Sequence, residues 1–103
     1  MMLRTSQQRK SLCRSCPVAR VADLVGDSCS LLILRDLLEK PRRFGDLQHS
    51  LAGVSSRTLT NKLRRLEDEA LIQHKKLNYT LTKKGAALHD VVEAMRTYGK
   101  KYL

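Results

Sequence analysis

The 103-residue chain contains no tryptophan, one phenylalanine and three tyrosines. So sparse an aromatic set excludes an aromatic-centred core, and leucine, valine and isoleucine must fill the interior instead. No apolar run approaches the roughly 18 residues of a membrane-spanning helix. The N-terminus is basic but lacks the apolar segment of a secretory signal. Catalytic signatures are missing as well: there is no Ser-His-Asp order, no glycine-rich phosphate loop and no pair of carboxylates at working distance. His49, His74 and His89 lie on different predicted elements, none with a carboxylate at ligand spacing, and read as surface or half-buried side chains. The expectation is a chain with no enzymatic role, no metal and no cofactor.

Acid is also scarce. Ten Asp and Glu stand against twenty Lys and Arg, a net charge of +10. The excess is uneven. Residues 1–20 hold five basic side chains and no acid, residues 21–56 carry a net −1, and residues 57–84 a net +5. A charge kept only for solubility would be spread more evenly, so this concentration marks a surface for a polyanion. The length suits one domain with one core. Three cysteines, an odd number in a domain that needs no disulfide, fit a reducing cytoplasm.

Residues 1–15 are polar, basic and aperiodic, and are expected to form a flexible tail ahead of a domain at 16–103. Cys16-Pro17 reads as a helix start, because proline at the first helical position loses no hydrogen bond. Gly26 closes that helix. Asp27 and Ser28 offer caps for a second helix, Leu31–Leu38, apolar nearly all round and so expected at the centre of the core. Pro41 stops it. A short helix follows from about Gly45 to Ser50, then a tight turn at Ala52-Gly53-Val54, then the strongest helical pattern, Ser55–Glu69, with Leu59, Leu63, Leu66 and Ala70 on one face. After Leu71 the period falls from 3.6 to 2, predicting a hairpin of Ile72–Lys75 and Tyr79–Leu81. A last helix over about 84–103 carries Leu88, Val91, Val92, Met95, Tyr98 and Tyr102 on one side.

This order predicts an α+β, mostly α fold: a winged helix-turn-helix with a short two-stranded wing and an additional C-terminal dimerisation helix. In such a domain the helix after the tight turn enters the DNA major groove. Stepping 100° per residue from Leu59 places Arg57, Asn61, Arg64 and Asp68 within about 40° of the opposite side, with Thr60 and Arg65 flanking them. Arginine pairs bidentately with guanine and asparagine with adenine, while threonine serves phosphates or thymine methyls. Ser55-Ser56 presents free backbone N–H groups to a phosphate. The acids Glu67, Asp68 and Glu69 oppose both DNA and the helix dipole, so the N-terminal half of the helix is expected to insert. Lys75 and Lys76 on the hairpin, and Arg42 and Arg43 before the short helix, are further candidates for the DNA backbone.

Taken in series, several segments are similar to those of the HxlR family of prokaryotic transcriptional regulators. They are Cys16-Pro17-Val18, Leu31–Leu37, Pro41–Leu47, Ser55–Thr60, Leu63–Glu67, Ala70-Leu71-Ile72 and Tyr79–Thr82 on to Gly85. The resemblance implies a cytoplasmic homodimer that binds operator DNA through the helix at Ser55–Glu69 and dimerises through its N- and C-terminal helices. It also implies that the cysteine before proline, Cys16 here, senses oxidants or electrophiles in some members. Two departures stand out. Ser28-Cys29 replaces the family's usual Lys-Trp pair, and only Gln73 to Asn78 separates Ile72 from Tyr79 where the family carries a longer wing.

Cys13-x-x-Cys16 leaves three readings open. A thiol at a helix N-terminus near Arg14 and Arg20 favours reactive thiolate, with Cys13 as a disulfide partner. Cys13, Cys16 and Cys29 with a histidine would instead resemble a zinc site. Cys16 packing as a small apolar side chain is the plain alternative. The last helix also has two readings, cover for the domain's own core or a two-fold interface, where Met and aromatic residues are enriched. The expected partners are double-stranded DNA, a second copy and a small-molecule or redox effector, with no membrane. The alternatives are a winged helix that binds nucleic acid without sequence preference, chromatin- or RNA-associated, and a partner-binding scaffold without DNA contact.

Overall fold

The computed structural model describes residues 16–103; the tail at 1–15 and Cys13 lie outside them. Helix α1 spans Pro17–Leu24, capped by Cys16, whose Sγ accepts the Ala19 N–H at 3.4 Å. It ends two residues before Gly26, which is glycine because a Cβ there would strike the Ala22 carbonyl oxygen. Helix α2 spans Ser28–Glu39, longer than the apolar run alone predicts. Asp27 starts it by accepting the Ser30 backbone N–H at 2.8 Å and the Ser30 hydroxyl at 3.0 Å. Its burial is one-sided: Ile33, Leu34 and Leu37 are buried, whereas Leu31, Leu32 and Leu38 are half-buried.

Helix α3 (Phe44–Ser50) leads through a turn, where Gly53 holds φ +94°, to helix α4 (Ser56–Asp68). Strands β1 (Ile72–Lys75) and β2 (Asn78–Leu81) pair antiparallel, with Ile72 opposite Leu81 and His74 opposite Tyr79. The His74 and Tyr79 rings stack at 4.0 Å, in line with the short cross-strand distances of such a pair. Arg42 adds a bridge at the far side of β2, its N–H and C=O both bonded to Tyr79, at 3.2 and 2.7 Å.

The predicted single C-terminal helix is two. Helix α5 (Lys83–Ala86) and helix α6 (His89–Tyr102) are separated at Ala87-Leu88. The Leu88 N–H bonds the Gly85 carbonyl at 3.0 Å, a tighter turn that seats the Leu88 side chain against the core. Gly85 is buried, and a Cβ there would collide with the Leu71 carbonyl.

The core joins Val25, Ile33, Leu34, Leu37, Leu47, Leu51, Leu59, Leu63, Leu66, Leu71, Ile72 and Tyr79. It is aliphatic apart from Tyr79, as the aromatic poverty of the chain requires. Helix α2 packs against α4 and β2, and α4 against β1. The outer face of α4 is thereby left exposed. No helix among the described residues is long and apolar enough to cross a membrane.

Candidate nucleic-acid interface

Helix α4 forms because a serine cap meets a four-three leucine rhythm. Ser55 Oγ accepts the Thr58 N–H at 3.1 Å and donates to Thr58 Oγ1 at 3.0 Å. Leu59, Leu63 and Leu66 are essentially without solvent exposure. With that stripe inward, Ser56, Arg57, Thr60, Asn61 and Arg64 are all exposed. Two guanidiniums, an amide and two hydroxyls thus share the outward face, the donor set that base edges and phosphates accept.

The C-terminal end of α4 is closed off differently. Ala70, expected on the buried face, lies outside the helix at φ +61° and is exposed. The Leu71 N–H bonds the Leu66 carbonyl at 3.0 Å and the Ala70 N–H bonds the Glu67 carbonyl at 2.9 Å, the paired bonds of a Schellman stop. Thr82 Oγ1 donates to the Ala70 carbonyl at 2.6 Å and Lys84 Nζ to the Glu69 carbonyl at 3.0 Å. Lys84 therefore offsets the acids Glu67–Glu69, which oppose the dipole.

Not every predicted contact stands on this face. Arg42 is only 18% exposed at its side chain; Nη2 lies 3.5 Å from Glu39, and Nε donates to the Asp36 carbonyl at 3.4 Å. It fastens the end of α2 to the hairpin rather than projecting as a phosphate clamp. Arg65 is half-buried with Nη2 shielded from solvent, so it does not join the exposed row. Arg43 is exposed and Asp46 accepts its backbone N–H at 3.1 Å. Lys75 and Lys76 are exposed on the hairpin, Lys76 at φ +55° in its two-residue turn.

Two contributing residues escape a reading by sequence. Lys62 reaches across to Asp27 at 3.5 Å and ties α4 to the start of α2. Burial raises the Asp27 carboxyl, but the Ser30 N–H and hydroxyl and the Lys62 ammonium outweigh it and hold it below its ordinary value of 3.8. Gln48 of α3 donates through Nε2 to Ser56 Oγ at 2.8 Å. The only signal for either is a helical phase that points it at the neighbouring helix.

The cysteines differ. Cys16 is exposed. Cys29 is half-buried, and burial together with the Asp27 charge raises its thiol, partly offset by Lys62, which disfavours the reactive thiolate. Among the described residues no three His, Cys, Asp or Glu side chains gather as a metal would need.

The predicted dimer face divides. Val92 is buried and Leu88 packs on the core, whereas Met95, Tyr98 and Tyr102 are 51, 59 and 62% exposed. Val91 and Met95 of α6 line an apolar groove of 640 Å³ together with Val18, Val21 and Val25 and with Leu31 of α2.

A core of stacked helices, an outward-facing helix after a tight turn and a two-stranded hairpin define a winged helix-turn-helix protein. Residues 24–103 match the HxlR-like helix-turn-helix family, and the chain belongs to that family of transcriptional regulators. The HTH-type regulator sll1512 of Synechocystis, itself uncharacterised, is 36% identical over 95 residues, spanning 85% of this chain and 70% of the relative. YodB, an HTH-type transcriptional regulator of Bacillus subtilis, is 28% identical over 95 residues, 84% of this chain and 85% of YodB. Its quinone-bound crystal structure matches with a TM-score of 0.74 at 28% identity, over 80% of this chain and 93% of that one. The crystal structure of PA1607, a candidate transcription factor, matches with a TM-score of 0.80 and 37% identity over 93% of this chain and 70% of that one.

Proposed function

We propose that this regulator binds operator DNA in the cytoplasm as a homodimer, each copy placing the N-terminal half of α4 in the major groove. The observation that carries the reading is the exposed row Arg57, Thr60, Asn61 and Arg64 opposite a fully buried leucine stripe. Arg57, Asn61 and Arg64 read base edges. Ser56 and Thr60 hold phosphates, with Arg43, Lys75 and Lys76 on the flanking backbone.

A second copy covers the groove between α1 and α6. Its lining is nearly all apolar, and Met95, one of the lining residues, lies on the helix that also exposes Tyr98 and Tyr102. Such a face carries the residue types enriched in the centres of interfaces. A two-fold axis through it sets two α4 helices on half-sites of a pseudo-palindrome.

Cys16 adds an effector reading. It is exposed at the start of α1, next to Pro17 and Val18 of the groove, so adding an electrophile or a disulfide there alters the packing of the two copies. A solved structure of the relative YodB holds a quinone, which supports a thiol-directed effector here. Cys13 is the proposed disulfide partner.

Selection of bound sequences from random duplexes tests these points together. Reduced protein should enrich an inverted repeat with half-site centres about 10 bp, or a multiple, apart. Diamide should weaken that binding in wild type and not in Cys16→Ser. Strong, salt-sensitive binding with no enriched sequence would instead mark a nonspecific winged helix.

A further inference from the structure

A serine hydroxyl has one proton to donate and two lone pairs to accept with. At the start of α4, two adjacent serines use these differently. Ser55 is consumed within the helix: its oxygen accepts the Thr58 N–H, and its proton goes to Thr58 Oγ1. Ser56 only accepts, from Gln48 Nε2 at 2.8 Å, and its proton has no acceptor among the described residues. Ser56 is exposed and Gln48, on α3, is half-buried, so the amide reaches Ser56 from the neighbouring helix. With one lone pair held there, the Ser56 proton is turned outward.

We infer that Gln48 of α3 is a positioning residue for DNA binding, which fixes the Ser56 hydroxyl as a donor aimed at a backbone phosphate. The inference rests on the reading of α4 as the DNA-facing helix. Gln48 touches no DNA in it. A side chain that donates to Ser56 keeps the hydroxyl facing out, and one that accepts draws the proton inward and removes the phosphate contact. The polarity of the residue at 48, beyond its size, therefore governs the contact.

The test is the cost of Ser56→Ala measured in three backgrounds: Gln48, Gln48→Arg and Gln48→Glu. The readout is affinity for a fluorescein-labelled duplex of the selected sequence, on which the Ser56 phosphate contact and the base contact of Arg57 both register. Comparing the Ser56→Ala cost within each background cancels the charge that Arg or Glu adds. The expected cost is roughly five- to tenfold with the donors Gln48 and Gln48→Arg, and close to none with the acceptor Gln48→Glu. Equal costs in all three backgrounds would overturn the role of Gln48 while leaving the phosphate contact standing. No cost with Gln48, where Arg57→Ala still weakens binding, would remove the Ser56 contact and the inference with it. If Arg57→Ala is also without effect, the reading of α4 itself fails.

Discussion

Ala70 is the clearest case of a residue whose conformation its own side chain resists. It sits at φ +61° directly after the C-cap of α4, where glycine would be free of the Cβ clash. It is exposed, so no packing depends on its methyl group. Ala70→Gly should therefore raise stability by about 0.5–1 kcal/mol, the relief of the left-handed strain less the extra freedom glycine gives the unfolded chain. The urea midpoint checks it, and DNA affinity should be unchanged. From sequence Ala70 continues the leucine stripe at the correct spacing. The helix stops before it because Leu71 must turn inward to join the core beside Leu66, a tertiary demand that periodicity does not register. The placement of Arg42 escapes the sequence for the same reason. An arginine in a basic stretch reads as a DNA contact until Glu39, Asp36 and Tyr79 are brought around it.

At the scale of elements, what orients α4 is its seam with α2. Asp27 caps α2 and also meets Lys62 of α4, both side chains about a quarter exposed. Its carboxyl is held below 3.8, so the charged form is the one that folding favours. The stability this contributes is present above the unfolded value and is lost as pH falls through the lower folded value. Asp27→Asn keeps a capping oxygen but not the charge. The variant should be less stable than wild type at neutral pH, by about 1 kcal/mol or less. The gap should close below about pH 4, followed by urea unfolding across pH. A gap independent of pH would show that the carboxylate charge is not what couples the two helices.

Element order was legible because each element announces itself locally: proline after Cys16, leucines at four-three spacing in α4, alternation after Leu71. The break at Ala87-Leu88 was not. Apolar residues continue in helical phase across it, and only the seating of Leu88 on the core divides α5 from α6. The donor face of α4 could be placed from the leucine stripe alone. Gln48 and Lys62 could not, since each acts on a partner that the fold brings to it.

For the whole molecule, the free surfaces separate into two kinds. One is polar and basic, the face of α4 with the hairpin lysines beside it; the other is the apolar groove along α1 and α6. On the proposed reading, their separation would let DNA and a second copy be held at the same time. It also places Cys16 with the second surface, so chemistry at the thiol would reach DNA through the geometry of the pair.

In the proposed division of labour α4 reads base sequence and the wing does not. Its most direct measure is the affinity of Arg57→Ala, Asn61→Ala and Lys76→Ala for the selected duplex and for a scrambled duplex at matched salt. Arg57→Ala and Asn61→Ala should each weaken binding to the selected duplex by about tenfold or more, with much smaller losses on the scrambled one. Lys76→Ala should weaken both by the same small factor and lower the salt slope by about 1. Equal losses on both duplexes for all three variants would contradict sequence reading by α4.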